Sequence, residues 1–167
     1  MPFDGRFAFG ALTLAVALGF ALRIAPCVRN PGFENIFDGQ YHERLTRQVV
    51  TSGRLAEVDS LSNAPVGRRT ASHLPLGLYF TGAGFHRALA AFGCRDLRWN
   101  LAMLEALAGA FIAFPVWLGA LAVFRDRRAA VLAALLAVFL PGHLQLTQGI
   151  TLRYDDLGTL LVTTLFE

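Results

Sequence analysis

Three aspartates carry the clearest chemical signal in this 167-residue sequence. Asp38 lies in a polar stretch after the first apolar run, and Asp155 and Asp156 follow Tyr154 late in the chain. Carboxylates are hard oxygen ligands that suit Mg²⁺ or Mn²⁺. A cation held between them would neutralise a phosphate leaving group or polarise an acceptor. Acidic residues also begin many helices, so Asp155 and Asp156 have a second interpretation as caps of the helix that follows.

The elements that must position these aspartates are membrane helices. Hydrophobic residues make up 54% of the chain and charged residues only 16%, whereas about a quarter of the residues in a soluble domain are charged. This composition predicts an integral membrane protein with the lipid bilayer as a partner. All fifteen basic residues are Arg, and because they form no stripe or face we expect no binding to nucleic acid.

The apolar runs predict an all-α, polytopic transmembrane helix bundle. A spanning helix needs ~20 apolar residues, and the runs place such helices at residues 7–26, 101–124 and 129–147, with the start of another at 157–167. The last run reaches Glu167 after about half of the required length. We therefore expect a truncated reading frame or a fragment that is inactive alone.

Residues 27–98 form the predicted first loop of this bundle, long, external and carrying interfacial helices. Within it, YHERLTRQVVTSGRL is typical of a short amphipathic helix that stops at Gly53. Residues 73–93 are long enough to span, but His86 and Arg87 are costly at mid-bilayer. A helix lying at the interface fits this stretch about as well as a spanning helix.

The turn FRDRR, residues 124–128, sets the predicted orientation. Short Arg-rich turns tend to be cytoplasmic, so the helix after FRDRR would bring Asp155 to the external surface. If residues 73–93 do not cross, Asp38 lies on that same side. The sequence therefore predicts a prokaryotic inner or plasma membrane protein with its active face external.

A family resemblance adds to these predictions. The stretch FDGQYHERLTRQVVTSG resembles the first external loop of the oligosaccharyltransferase catalytic-subunit family, in which an Asp followed by aromatic and often His residues opens a short helix ending in Gly. The order that follows is also similar: LPLGLYFTGAGFHRAL, then FRDRRAAVLAALLAVF, then Tyr-Asp at the outer end. The succession covers about Phe33 to Phe166.

The resemblance implies a C-type glycosyltransferase. Members of that family transfer a glycan from a polyprenyl-linked donor to the side-chain amide of Asn in an Asn-x-Ser/Thr protein acceptor. Asp38 matches the first-loop metal-binding and catalytic Asp, and Asp155 matches the first acidic residue of a second motif, Asp-x-Asp or Asp-x-Glu. This chain has Leu157 where the second acid of that motif belongs, so either Asp156 substitutes for it or one metal ligand is missing. The Trp-Trp-Asp-Tyr-Gly acceptor motif is absent from the sequence.

Four further side chains have both a functional and a structural interpretation. Arg153 would bind the donor phosphate, since Arg makes bidentate phosphate contacts, or would extend to lipid headgroups. His42 would support Asp38 from outside the ligand set, or lie exposed in the loop. Glu105, at the edge of the strongest span, is expected to face water or an arginine. Arg23 is expected to extend its charged end towards the membrane surface.

Two other functions remain open from the sequence. One is a different C-type transferase that uses a polyprenyl-phosphate sugar to modify lipid or another glycan. The other is a catalytically inactive membrane fragment or small structural partner, which the departure at Leu157 favours. The coding DNA downstream of Glu167 would discriminate between the oligosaccharyltransferase-like enzyme and such a fragment. Cys27 and Cys94 would pair only if both lie on an oxidising side, and we expect unpaired thiols.

Overall fold

The structure, a computed structural model, describes residues 5–35, 38–70 and 76–151. Most of these residues are helical, which confirms the prediction of a helical protein. The helices are α1 (Gly5–Arg29), α2 (Gly39–Ser52), α3 (Leu76–Ala91), α4 (Leu97–Phe111), α5 (Ala113–Phe124), α6 (Arg127–Phe139) and α7 (Pro141–Leu146). Two short antiparallel strands, β1 (Val58–Asp59) and β2 (Arg68–Arg69), form a hairpin between α2 and α3.

Within the part of the chain that the structure describes, two helical stretches are long and apolar enough to cross a membrane. They are Gly5–Arg29 and Leu97–Phe124, the second made of α4 and α5 together. Their outward surfaces carry large apolar side chains of which half or more is exposed, among them Phe7, Phe9, Leu118 and Val123. Apolar surface of this extent is unusual on a soluble monomer and suits contact with lipid.

Prolines set the helix boundaries in the second half of the chain. Pro115 has no N–H to donate to the carbonyl of Phe111, and α4 gives way to α5 at this point. Leu140 takes an extended conformation (φ −57°, ψ 123°), as residues before proline do. The sequence suggested one helix over residues 129–147, and the structure has α6 and the short α7 instead.

The first helix runs antiparallel to α4 and α5. Early in α1, Leu12 packs in one cluster with Ile112 and Ala113. Near its other end, Cys27 packs with Ala102. The residue numbers rise along α1 while they fall along its neighbour, so α4 begins at the end of the bundle where α1 finishes.

The same first helix runs parallel to α6. An ideal Cβ at Gly5 would lie 3.5 Å from the guanidinium of Arg127, at the start of α6, and one at Gly19 would lie 2.5 Å from a methyl of Val138 near its end. The bundle therefore has two ends. We call the one with Gly5 and the α5–α6 turn the turn end, and the one with the end of α1, the start of α4 and α7 the loop end.

Helices α2 and α3 form a separate layer at the loop end. Leu45 and Val49 of α2 are buried against Leu78 and Tyr79 of α3, which confirms the amphipathic helix predicted from the sequence. Gly53 ends α2 with φ of +73°, a conformation that glycine adopts without strain.

The β-hairpin is tied to α2 by one ion pair. Arg44 donates to both carboxylate oxygens of Asp59, at 2.8 and 2.5 Å, and Ser62 donates to the same carboxylate. The hydrogen bonds from Arg44, Ser62 and the backbone of Leu61 hold the pKa of Asp59 at about 2, below its usual 3.8. Because the carboxylate is 6% exposed, this pair stabilises the fold where Asp59 is charged.

Acidic pH should weaken the attachment of this hairpin to α2, because it protonates Asp59. The folded pKa of Asp59 lies below the unfolded one, so the stabilisation is complete above pH 4 and is lost as the pH falls from about 4 towards 2. It amounts to about 2 kcal/mol or less, since Arg44 is partly exposed. We expect the exchange-protection factor of the Thr70 amide, which bonds Glu57, to fall over this range, and Asp59→Asn to remove the pH dependence. Constant protection from pH 6 to 2 would contradict the prediction.

Candidate functional site

Asp38 stands immediately before α2 at the loop end. Its backbone is already helical (φ −74°, ψ −5°) and its side chain makes no capping hydrogen bond. It is exposed. A carboxylate with no capping role and open access to solvent is available as an oxygen ligand, and the role of Asp38 as a metal ligand stays a prediction.

The start of α2 is pressed against the segment that follows α7. An ideal Cβ at Gly39 would lie 2.6 Å from the carbonyl oxygen of Thr151 and 2.8 Å from the Cβ of Asn35. Only glycine allows so close an approach of two backbones. Asp38, the neighbour of Gly39, is thus held beside the chain that leads into the second acidic motif. Arg153, Asp155 and Asp156 themselves lie outside the described residues, as does the helix predicted over 157–167.

The segment after α7, residues 147–151, lies in a groove between α1 and α4. The N–H of Gly149 donates to the carbonyl of Arg23 at 3.1 Å. An ideal Cβ at Gly149 would lie 2.9 Å from the carbonyl oxygen of Ala102. We call these residues the groove segment.

Glu105 anchors the end of the groove segment. The hydroxyl of Thr151 lies 3.0 Å from its carboxylate, within hydrogen-bonding distance. Glu105 is 3% exposed, so the expectation that it faces water is wrong, while its other expected partner, an arginine, stays a prediction. A carboxylate buried in a stretch that can span a membrane is costly and generally has a function.

Arg23 is a second charged residue whose side chain does not lie where the sequence suggested. Its side chain is fully buried, so the expectation that it extends to the membrane surface is wrong. The guanidinium instead points into the bundle, where it donates to Thr147 of the groove segment at 2.6 Å. Nothing in the apolar run around Arg23 distinguishes a buried arginine from one that reaches the surface.

Glu43 is a buried carboxylate that the sequence analysis did not single out. It accepts hydrogen bonds from Asn35 (2.8 Å), Arg98 (2.9 Å) and Arg47 (2.8 Å). These contacts tie the first turn of α2 to the α1–α2 connection and to α4. No local pattern marked Glu43, because its partners Asn35 and Arg98 lie outside α2.

An open cleft of about 260 Å³ lies beside this network. Its lining is polar, with charges of both signs, and consists of Glu34, Gln40, Glu43, Arg44, Arg47 and Arg98. Gln40 places the cleft two residues from Asp38. Two carboxylates face three arginines, so the lining carries one formal positive charge in excess, and Arg44 is paired outside the cleft with Asp59.

His42 belongs to the α2–α3 interface. It is 3% exposed, so the interpretation of an exposed loop histidine is wrong. Its Nδ1 lies 2.9 Å from the hydroxyl of Tyr79. Burial raises the pKa of Tyr79, so the phenol stays protonated and forms a hydrogen bond with the ring. His42 thereby fixes α2 against α3.

The donor set near Asp38 fits a hard cation in part. Asn35 donates its amide N–H to Glu43, and its buried Oδ1 has no hydrogen-bond partner among the described residues. Among residues 5–35, 38–70 and 76–151, no three His, Cys, Asp or Glu side chains group together as metal ligands. Asp38 would contribute one ligand, and completing the site requires Asp155 or Asp156.

The cysteines are both free, Cys27 buried and Cys94 exposed, as expected for unpaired thiols. Cys27 lies against Gly149 of the groove segment, with its sulfur 3.2 Å from an ideal Cβ there, and so belongs to the packing of the groove.

No protein-family model matches the chain, and no curated protein matches it.

Proposed function

We propose that this chain is the membrane portion of a C-type glycosyltransferase that resembles oligosaccharyltransferase. It would transfer a glycan from a polyprenyl-linked donor to the side-chain amide of asparagine in a protein acceptor. The observation that carries the proposal is the contact between Gly39 and Thr151, because it brings Asp38 to the chain that leads into Tyr154-Asp155-Asp156.

Chain length supports a shared site. Asp155 follows Thr151 by four residues, and four residues extend over at most about 14 Å. Asp38 is covalently next to the residue that touches Thr151. Chain length therefore allows the two acidic segments to meet at one cation and one phosphate group.

The directions of the helices support a common side of the membrane. If α1 and α4–α5 both cross, they cross in opposite directions, and the chain between them leaves and returns at the loop end. A single crossing by α3 would make α4–α5 run parallel to α1. At 16 residues, α3 measures about 24 Å against an apolar thickness of about 30 Å.

The surface of α3 supports a position at the lipid interface. Its outward face is apolar and includes Leu76 and Phe80, with Phe92 just beyond its end. Its one exposed charge, Arg87, donates back to the carbonyls of Val49 and Val50 at the end of α2. A helix that is buried on one side and apolar on the other is suited to lie in the outer leaflet.

The turn end supports the proposed orientation. Arg125, Arg127 and Arg128 lie in or beside the short α5–α6 turn, and Arg6 lies at the start of α1, on the same end. Short turns rich in arginine favour the cytoplasm. The loop end, with Asp38, would then face the outside.

In this proposal Asp38, Asp155 and Asp156 hold Mg²⁺ or Mn²⁺, and Arg153 contacts the donor phosphate. Such a cation, when bound, supplies positive charge against the leaving phosphate. Asp38 is suited to the role because its carboxylate is exposed and engaged in no helix cap.

A transfer assay tests the proposal. Membranes that contain the intact protein, a polyprenyl-linked glycan and an Asn-x-Thr peptide should yield glycopeptide only with Mg²⁺ or Mn²⁺. Chelation by EDTA should stop the reaction and added Mn²⁺ should restore it. A peptide with Gln in place of Asn is the matched control. Absence of metal-dependent glycopeptide under these conditions would reject the proposal.

A further inference from the structure

We infer that Arg23 is a positioning residue, which holds the groove segment in the one place that brings Thr151 to the start of α2. The inference deepens the proposed function and rests on it in one respect, namely that the acidic pair after Thr151 acts together with Asp38. The structural part of the inference can be tested by itself.

The guanidinium of Arg23 is engaged on every nitrogen. Its Nε donates to the hydroxyl of Thr147 at 2.6 Å, and one terminal nitrogen donates to the carbonyl of Gly19 at 3.0 Å. The other terminal nitrogen reaches the carbonyl of Val138 and the Nδ1 of His143, both at 2.9 Å. One side chain thus joins α1 to the end of α6, to α7 and to the groove segment.

These hydrogen bonds satisfy a backbone carbonyl that is left without a helical partner where α6 ends before Pro141. The last carbonyls of a helix have no partner within it, and Val138 lies one residue before the end of α6. In a bundle that can lie in lipid, water is not there to satisfy such a carbonyl. Arg23 supplies the donor, and in doing so it fixes where the chain turns into α7.

The segment is closely packed in the groove on both sides. An ideal Cβ at Gly109 would lie 2.6 Å from the Cβ of Thr147 and 2.7 Å from the Nε of Arg23. On the other side, the N–H of Gly149 donates to the carbonyl of Arg23. Arg23 therefore holds the segment at two points, through its side chain at Thr147 and through its backbone at Gly149.

The position of the segment decides where the acidic pair begins. Thr151 ends the described chain against Gly39 on one side and Glu105 on the other. If the segment slides or lifts from the groove, the residues after Thr151 move relative to Asp38. Misplacement of a reacting group by about 1 Å can cost on the order of 100-fold in rate.

Distance measurements between spin labels test this role directly. We would label Gln40 and Gln145, both exposed, as cysteines in a Cys94→Ser background, since Cys27 is fully buried. The wild-type pair should give a single narrow distance distribution. Arg23→Met and Thr147→Val should broaden or shift it, and Thr147→Ser, which keeps the hydroxyl, should restore the wild-type distribution.

A second label pair, at Leu14 on α1 and Leu136 on α6, reports whether the bundle is intact. If Arg23→Met broadens only the first pair, the positioning role is supported. If it broadens both, Thr147→Val decides, because that variant removes only the hydroxyl, which accepts from Arg23 and donates to the carbonyl of His143, and leaves the charge in place. An unchanged Gln40–Gln145 distance in Thr147→Val, together with an unchanged or global effect of Arg23→Met, would overturn the inference.

The transfer assay supplies the functional readout. Thr147→Val should raise the Mn²⁺ concentration required for half-maximal transfer by about tenfold, while Thr147→Ser should not. A purely structural loss would lower the amount of active protein and leave that concentration unchanged. If the wild-type protein shows no transfer, the proposed function fails, and the distance measurements still decide the role of Arg23.

Discussion

Asp38→Asn is expected to lower metal-dependent glycan transfer by at least about 100-fold, because removal of a ligand should cost no less than loss of its supporting hydrogen bonds. Asparagine keeps the size of the side chain and removes its charge, so the cation loses its anionic ligand. Folding should be unaffected, since the Asp38 side chain caps no helix and is exposed. Transfer at saturating Mn²⁺ and the Mn²⁺ titration should both be measured, with the amount of folded protein checked by gel filtration in detergent.

Asp96→Asn is the matched control for this experiment. Asp96 is also exposed, lies at the same end of the bundle and precedes a helix, where it accepts the N–H of Trp99 at 3.3 Å. Asparagine caps helices about as well as aspartate, so transfer should stay within about twofold of the wild type. Equal activity of Asp38→Asn and the wild type would remove Asp38 from the site.

Impermeant thiol labelling is expected to find both acidic segments on the outside. Gln40→Cys and Gly158→Cys, each as the single cysteine in a background without Cys27 and Cys94, should react fully in intact cells. The reason is the antiparallel course of α1 and α4–α5, which returns the chain to the loop end before α4 begins. Labelling is all or none, because a bilayer either excludes the reagent or does not.

Arg125→Cys is the control for the opposite side of the membrane. Arg125 lies in the α5–α6 turn with φ of +52°, at the turn end, so this cysteine should react only after the cells are lysed. If Gln40→Cys and Gly158→Cys label from opposite sides, one cation cannot bridge the two segments. The proposed transferase site would then be rejected, and α3 or another element would have to cross.

Local patterns predicted the elements near the site but not their contacts. The face shared by Leu45 and Val49, followed by Gly53, was enough to place α2, because periodicity and a left-handed glycine act over a few residues. Asp38 stays a predicted ligand, which residue type, position and the family resemblance proposed. The end of α6 was missed although Pro141 marks it, since membrane helices tolerate proline and the apolar pattern continues beyond it.

Local sequence patterns could not predict the hydrogen-bond partners of the buried polar groups. Arg23 and Thr147 are 124 residues apart, Glu43 and Arg98 are 55 apart, and Glu105 and Thr151 are 46 apart. A charge in an apolar run has the same sequence signature whether it reaches the surface or is buried with partners. Hydrogen bonding decides between these outcomes, and the donors and acceptors come from other elements.

By itself, therefore, the sequence determined a helical chain with runs suited to a membrane, an amphipathic α2 and a carboxylate at its start. Only the tertiary structure decided that α1 and α4–α5 run in opposite directions, that Arg23 and Glu105 are buried, and that Gly39 touches Thr151. Composition and periodicity record how much each residue gains or loses on leaving water. They do not record which distant residue each side chain contacts once it is buried, and such contacts define the candidate site.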